Sequence, residues 1–175
     1  MRHITPVMVS KFLSTARRAI FLPMPAFAEK LLLSLAVHTR ALLCPVDFGV
    51  VALVEQGGKV VLVRHSYKSG WLLPGGAVGH GEPPGEAILR ELREEIGLTH
   101  SATPQLFGLY TRKALLATNV IALYRVREVA FVFKPGFEIR AVKLADPASP
   151  PPGTAPAVQR RLKELLGEAP QRPHW

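Results

Sequence analysis

Hydrophobic positions fall into two rhythms along this chain. Phe48, Val50, Val51, Ala52, Leu53 and Val54 form a dense run, and Gly57-Gly58 separates it from a second run over residues 59–65. Compact apolar runs bounded by turn residues predict two strands, and the double glycine joins them as a hairpin. Further strands are predicted over residues 105–112 and 119–126, with two more within 130–134 and 138–144. The other rhythm is helical. Leu89, Leu92 and Ile96 recur on one face of a helix that Pro83 and Pro84 can only open and Gly97 closes. Residues 157–166 repeat the helical spacing, with Arg160, Arg161 and Lys163 placed outside and Gly167 as the stop. Residues 147–156 are proline-rich and turn-forming, and residues 169–175 read as a frayed tail. Strands before and after a central helix, with a second helix beyond them, predict an α/β domain over residues 45–168, a mixed sheet sandwiched between helices.

Residues 1–44 have another texture, alternating basic and apolar residues around a Phe21-Leu22-Pro23-Met24-Pro25 break. Leu31, Leu32, Leu35, Leu42 and Leu43 with Lys30 and Arg40 predict an amphipathic helix, so this segment reads as a basic, helical N-terminal extension. Three roles fit it: helices packed on the domain or on a partner subunit, a membrane-surface contact, or a targeting segment. A secretory signal fits poorly, because no clean apolar block leads into a small-residue cleavage site.

Composition narrows the class. A chain of 175 residues, 48% of them hydrophobic, can bury one full core, and no apolar run approaches the roughly 20 residues that span a bilayer. The single cysteine, Cys44, can form no internal disulfide and offers no zinc-site spacing, which suits a reducing, cytoplasmic setting. The formal charge of +9 favours polyanionic partners. That charge is uneven: residues 1–44 carry Arg2, Lys11, Arg17, Arg18, Lys30 and Arg40 against Glu29 alone.

Against this basic background, five of the thirteen acidic residues lie between Glu82 and Glu95. On a helix Glu91, Glu94 and Glu95 stand at i, i+3 and i+4, which gathers three like charges on one face. Such a face is either a solvated surface or a platform for a cation. Hard divalent ions, Mg²⁺ or Mn²⁺, match an oxygen donor set, and Mg²⁺ is commonly shared between a few carboxylates and substrate phosphates. Arg90 can reach Glu94 or Glu86 and so fix carboxylate orientation, whereas Arg93 reads as solvated. The glycines ahead of the helix permit tight turns and close approach of a ligand.

The spacing decides between the two. Gly76, five residues, Glu82, seven residues, then Arg90-Glu91-Leu92-Arg93-Glu94-Glu95-Ile96-Gly97-Leu98 resembles the Nudix box, and every fixed position of that 23-residue pattern is filled. The flanks Leu62-Val63-Arg64-His65 and Trp71-Leu72-Leu73-Pro74-Gly75-Gly76 are similar to strands that precede the box in Nudix hydrolases. The resemblance covers about residues 46–166 and leaves residues 1–44 outside it. One departure is Gly79, where many members carry a glutamate.

The resemblance implies a Nudix-type α/β/α sandwich and an enzyme that hydrolyses a nucleoside diphosphate linked to another group: ADP-ribose, a dinucleotide, a nucleotide sugar or an NTP. It implies Glu91, Glu94 and Glu95 as metal ligands, the Gly75 carbonyl as a further one, Glu91 as a general base, and Arg90 as the group that orients them. Glu138 is the acid expected from a later strand, ahead of Asp146. Arg64, Lys68, Arg112 and Lys113 are basic candidates for substrate phosphates, with the Gly76 turn beside them. His65 and His80 read as hydrogen-bonding bystanders, and Trp71 and Tyr110 as core residues rather than base-stacking ones. A homodimer is in keeping with the family. Two other functions fit the sequence: a catalytically silent nucleotide-sensing module, and an RNA-binding or RNA 5′-end-processing protein using the basic extension.

Overall fold

The computed structural model describes residues 34, 35, 39, 46–114 and 117–175. Inter-residue contacts divide the chain into two units, Met1–Leu43 and Cys44–Trp175. Of the first unit, Ser34, Leu35 and Thr39 are helical; the rest of the predicted basic extension lies outside the described residues.

The second unit contains β1 (Val46–Gln56), β2 (Lys59–His65), β3 (Gly75–Ala77), α1 (Pro84–Ile96), β4 (Leu98–His100), β5 (Gln105–Ala114), β6 (Ala117–Val126), β7 (Ala130–Phe131), β8 (Ile139–Ala145) and α2 (Pro156–Leu165). The main sheet runs β5-β6-β1-β2-β8, with β3 added beside β1, while β4 and β7 form a separate pair. The sheet is mixed: β1 and β6 are parallel, whereas β5–β6, β1–β2, β1–β3 and β2–β8 are antiparallel. Of the strand predicted within 130–134, only Ala130 and Phe131 pair.

Alternation along β1 builds the sandwich. Val50, Ala52 and Val54 turn to the face covered by Ala87, Ile88, Leu92 and Ile96 of α1, whereas Leu53 turns to the face covered by Val158 and Leu162 of α2. Two cores therefore share one sheet. Helix α1 opens at Pro84 and ends at Gly97, whose φ of 70° lets its N–H return to the carbonyls of Leu92 and Arg93.

Two sequence expectations change on the α2 side. Arg161, expected to lie outside, is 1% exposed: its guanidinium sits 4.0 Å from the Tyr110 ring centre and donates to Glu164 at 2.8 Å. Residues 169–175, expected to fray, are tied to β5 instead. The Thr111 N–H donates to the Pro173 carbonyl at 2.8 Å, and the Trp175 N–H donates to the Thr111 carbonyl at 3.0 Å. Both outcomes follow from the exposed edge of β5, whose unpaired backbone groups receive the segment, and from Glu164, whose buried carboxylate requires a cation.

Candidate active site and metal centre

The site lies where β1 and β2 part. They pair only next to their turn, at Glu55–Val60 and Gln56–Lys59, and farther along β1 its edge is taken by Gly75, Gly76 and Ala77 of β3. Beyond the fork β2 pairs with β8, and its last residue, His65, lies opposite Ile139. A cavity of about 560 Å³ occupies this region, lined among others by His65, Lys68, Gly76, Glu91, Arg112 and Glu138.

Close approach at Gly76 seats α1 against β3. A Cβ placed on Gly76 would fall 2.5 Å from either carboxylate oxygen of Glu91, so only glycine leaves that carboxylate in place. Arg90 then fixes the acidic face. It donates Nε to Glu82 at 2.9 Å, Nη2 to Glu82 and to the Ala77 carbonyl at 2.9 Å, Nη1 to Glu91 at 2.6 Å, and reaches Glu94 at 3.5 Å. The main partner is thus Glu82, eight residues away, rather than the helical neighbour Glu86. With hydrogen bonds from Arg90 and from the Gly79 N–H, Glu82 is held down to about 2.

The three glutamates expected on one face differ in environment. Glu91 and Glu94 line the cavity, the latter with a side chain 60% exposed. Glu95 is 5% exposed and accepts a 2.8 Å hydrogen bond from the Gly75 N–H. Burial pushes its carboxyl up to about 8 against the opposing pull of that hydrogen bond, and neighbouring Glu91 and Glu138 raise it further. Lys68 offsets these acids only weakly, and a divalent cation would supply the larger counter-charge.

His65 enters here, contrary to the bystander expectation. Its Nε2 lies 3.7 Å from Glu95 Oε1 and its Nδ1 lies 3.8 Å from Glu138 Oε1, with Nδ1 buried and unpartnered. His65, Glu95 and Glu138 together offer ligand atoms within 4.8 Å of one another, a group that could hold a metal ion. Burial, then Lys68, lowers the His65 pKa, which keeps the ring a neutral donor atom. Glu138 also accepts a 2.6 Å hydrogen bond from the Tyr67 hydroxyl, which drives Tyr67 up to about 12.

The remaining candidates separate cleanly. Gly75, Gly76, Lys68 and Arg112 line the cavity with Glu138. Arg64 does not; its guanidinium stacks 4.4 Å from the Trp71 ring centre, because strand alternation turns it away from the side that His65 takes. Lys113 and His80 are exposed. Asp146 accepts from the Ala148 N–H as a turn residue after β8. Trp71 and Tyr110 are buried core residues. Sequence reasoning missed Asp47, Asn119 and Trp175, which also line the cavity. Asp47 and Asn119 sit opposite each other on β1 and β6, and Arg112 lies opposite Asn119 on β5. Isolated polar residues in strands carry no spacing signal, so only strand pairing brings this row together.

Comparison with known proteins agrees with the geometry. The family model for the NUDIX domain matches residues 45–166. The chain belongs to the Nudix hydrolase family. It is 44% identical over 48 residues to an RNA pyrophosphohydrolase of Xanthomonas oryzae pv. oryzae, a match covering 27% of this chain and 23% of that protein. An uncharacterized Nudix hydrolase, YvcI, of Bacillus subtilis is 34% identical over 59 residues, covering 34% of this chain and 37% of that protein. The chain thus spans about a quarter to a third of the length of these curated relatives. The crystal structure of a MutT NUDIX hydrolase from Burkholderia pseudomallei superposes with a TM-score of 0.61 at 20% identity, covering 69% of this chain and 98% of that one, a likeness of fold. Nudix hydrolases act on nucleotide-type substrates and generally use a divalent metal, and the acidic, His65-containing group of this chain fits one. Among the described residues no helix is long and apolar enough to cross a membrane.

Proposed function

We propose that this chain is a divalent-metal-dependent hydrolase that splits the pyrophosphate link of a nucleotide-type substrate, a nucleoside diphosphate joined to a further group. The observation that carries this reading is the paired arrangement of Glu91 and Glu94, held by Arg90 and facing a cavity whose other walls bring Lys68 and Arg112. Carboxylates alone would repel a polyphosphate. Carboxylates that hold Mg²⁺ or Mn²⁺ would attract it.

In this reading Glu91, Glu94 and Glu95, with the Gly75 carbonyl, hold the cation, and His65 and Glu138 stand next to Glu95 as further donors. The bound ion would neutralise phosphate charge and make water a better nucleophile. The protein's own groups do the rest. Arg90 keeps the Glu91 carboxylate fixed, so that it can accept a proton from the attacking water. Lys68 and Arg112 bind phosphate oxygens, and the side-chain-free edge of Gly76 lets the phosphate chain come close to Glu91. The Tyr67–Glu138 hydrogen bond orients Glu138 toward His65.

The test is a substrate panel of ADP-ribose, dinucleotides, nucleotide sugars, NTPs and 5′-triphosphorylated RNA, run with Mg²⁺, with Mn²⁺ and with a chelator, all products resolved. Metal-dependent release of a nucleoside monophosphate or of pyrophosphate is expected. Glu94→Gln and Glu95→Gln should each remove most turnover, and unchanged turnover in both variants would rule out the metal assignment. The RNA arm is included because the Xanthomonas relative is named an RNA pyrophosphohydrolase. Tight nucleotide binding without hydrolysis at saturating metal would favour a sensing module instead.

A further inference from the structure

A second cavity, of about 390 Å³, lies between α2 and residues 169–175, and its charge is the reverse of the first. Arg160, Arg161, Lys163 and Arg172 line it with His174, against one carboxylate, Glu164. That carboxylate is already committed. Glu164 accepts from Arg161 Nη2 at 2.8 Å, from the Tyr110 hydroxyl at 2.8 Å and from the Arg172 N–H at 3.3 Å. Arg161, whose side chain is 1% exposed, donates Nη1 to the His174 carbonyl at 3.3 Å, yet its Nε is buried with no partner. Arg160, Lys163 and Arg172 add three exposed cations around it. Arg161 is matched by Glu164, and the exposed cations at the rim leave the cleft with an excess of positive charge.

The two cavities share a single lining residue. Trp175 lines both, with Arg161 5.6 Å from its ring centre and the Tyr110 ring edge-on at 5.7 Å. Its position is set by the backbone bonds to Thr111 and by Arg160, whose Nη2 donates to the Trp175 main-chain oxygen at 3.0 Å. The first cavity, which Trp175 also lines, holds the row of Arg112, Asn119 and Asp47, where the buried Asn119 Oδ1 is also unpartnered. The first cavity thus offers a carboxylate platform and a polar row, and the indole it shares with the second borders a basic cleft. These are the kinds of surface that a nucleotide carrying a 5′ polyphosphate and a further phosphate beyond its sugar would use.

We propose that the cleft framed by Arg160, Lys163, Arg172 and Trp175 is a second phosphate subsite, which takes a phosphate on the 3′ side of the nucleotide held in the first cavity. The inference rests on the nucleotide reading given above. Such a phosphate has two chemical sources, the next phosphodiester of an RNA chain or the 3′-phosphate of a small nucleotide. Trp175 stacks on the nucleoside between the two anion sites, and Arg160 is a positioning residue that also faces the cleft.

Calorimetry without turnover separates this inference from the hydrolase assignment. The full chain is titrated with AMP, with adenosine 3′,5′-bisphosphate and with the dinucleotide pApA. Adenosine 3′,5′-bisphosphate, pApA or both should bind about tenfold more tightly than AMP, an advantage that weakens as salt is raised. A gain with the bisphosphate identifies a terminal phosphate as the ligand, and a gain confined to pApA identifies the nucleic-acid chain. In the exposed-site variant Lys163→Ala/Arg172→Ala the advantage over AMP should fall toward parity, with circular dichroism confirming the fold. Trp175→Ala should weaken all three ligands, whereas Trp175→Phe should restore them. Equal affinity for the three ligands in the unmodified chain overturns the proposal, as does an advantage that persists in the double variant. Absence of any hydrolysis would count against the hydrolase reading alone.

Discussion

Two arginine–glutamate clusters lie on opposite sides of one sheet and are charged in opposite senses. Around Arg90 the acids are in excess: one guanidinium serves Glu82, Glu91 and Glu94, and Glu95 is buried close by among acids, with Lys68 as the weaker opposing charge. Around Arg161 the cations are in excess, and Glu164 is shared among three donors. Their burial differs as well. The Arg90 side chain is 36% exposed and those of Arg161 and Glu164 only 1% and 2%. A partly exposed cluster can exchange partners with an incoming ligand at modest cost. A fully buried pair mainly fixes packing, and the charge left over is displayed at its rim.

This contrast predicts that damage to the first cluster appears in turnover and damage to the second in stability. The largest effect belongs to Glu91→Gln, which should lower kcat by about 10² to 10⁴ while the melting temperature holds; equal losses of activity and stability would erase the contrast. Next is Arg161→Ala, which strands the buried Glu164 carboxylate and should cost about 3–5 kcal/mol in urea denaturation. A change below 1 kcal/mol would show that this pair is solvated after all.

Weaker, and again on the acidic side, is Gly76→Ala. Its new Cβ would fall 2.5 Å from the Glu91 carboxylate oxygens, and the flexible side chain can swing aside, so the fold survives and the platform shifts. Metal affinity and kcat should drop by about 10- to 100-fold, read by metal titration and steady-state kinetics. The smallest effect is in Glu82→Gln. Glu82 titrates at about 2 in the folded chain, below its ordinary 4.5, so its charged form contributes stability that is complete above 4.5. That contribution fades as pH falls through about 2. The variant should therefore melt below the unmodified chain at pH 7, with the gap closing between pH 4.5 and 2. A gap that stays constant to acid pH would mean that Arg90 does not depend on the Glu82 charge.

Spacing along the chain determined the hairpin, helix α1 with its proline opening and glycine stop, and the set Arg90, Glu91, Glu94 and Glu95, because those features repeat at the period of the backbone that carries them. The family followed from the same residues, whose pattern fills every fixed position of the Nudix box. Spacing could not separate Glu95, buried among acids, from Glu94, which is solvated, since helix geometry gives both the same face until β3 closes over one of them. It could not bring His65 to Glu138 or Asp47 to Asn119, because these meet only through strand pairing across more than seventy residues, and Arg112 joins that row only through the register of the β5–β6 pair. Nor could it place Arg161 inside or dock residues 169–175, whose partners, Tyr110, Thr111 and Glu164, come from a distant strand and the facing turn of α2. Periodicity is a property of one element, and it set the platform; charge balance and cavity walls belong to several elements at once, and only their packing decided them.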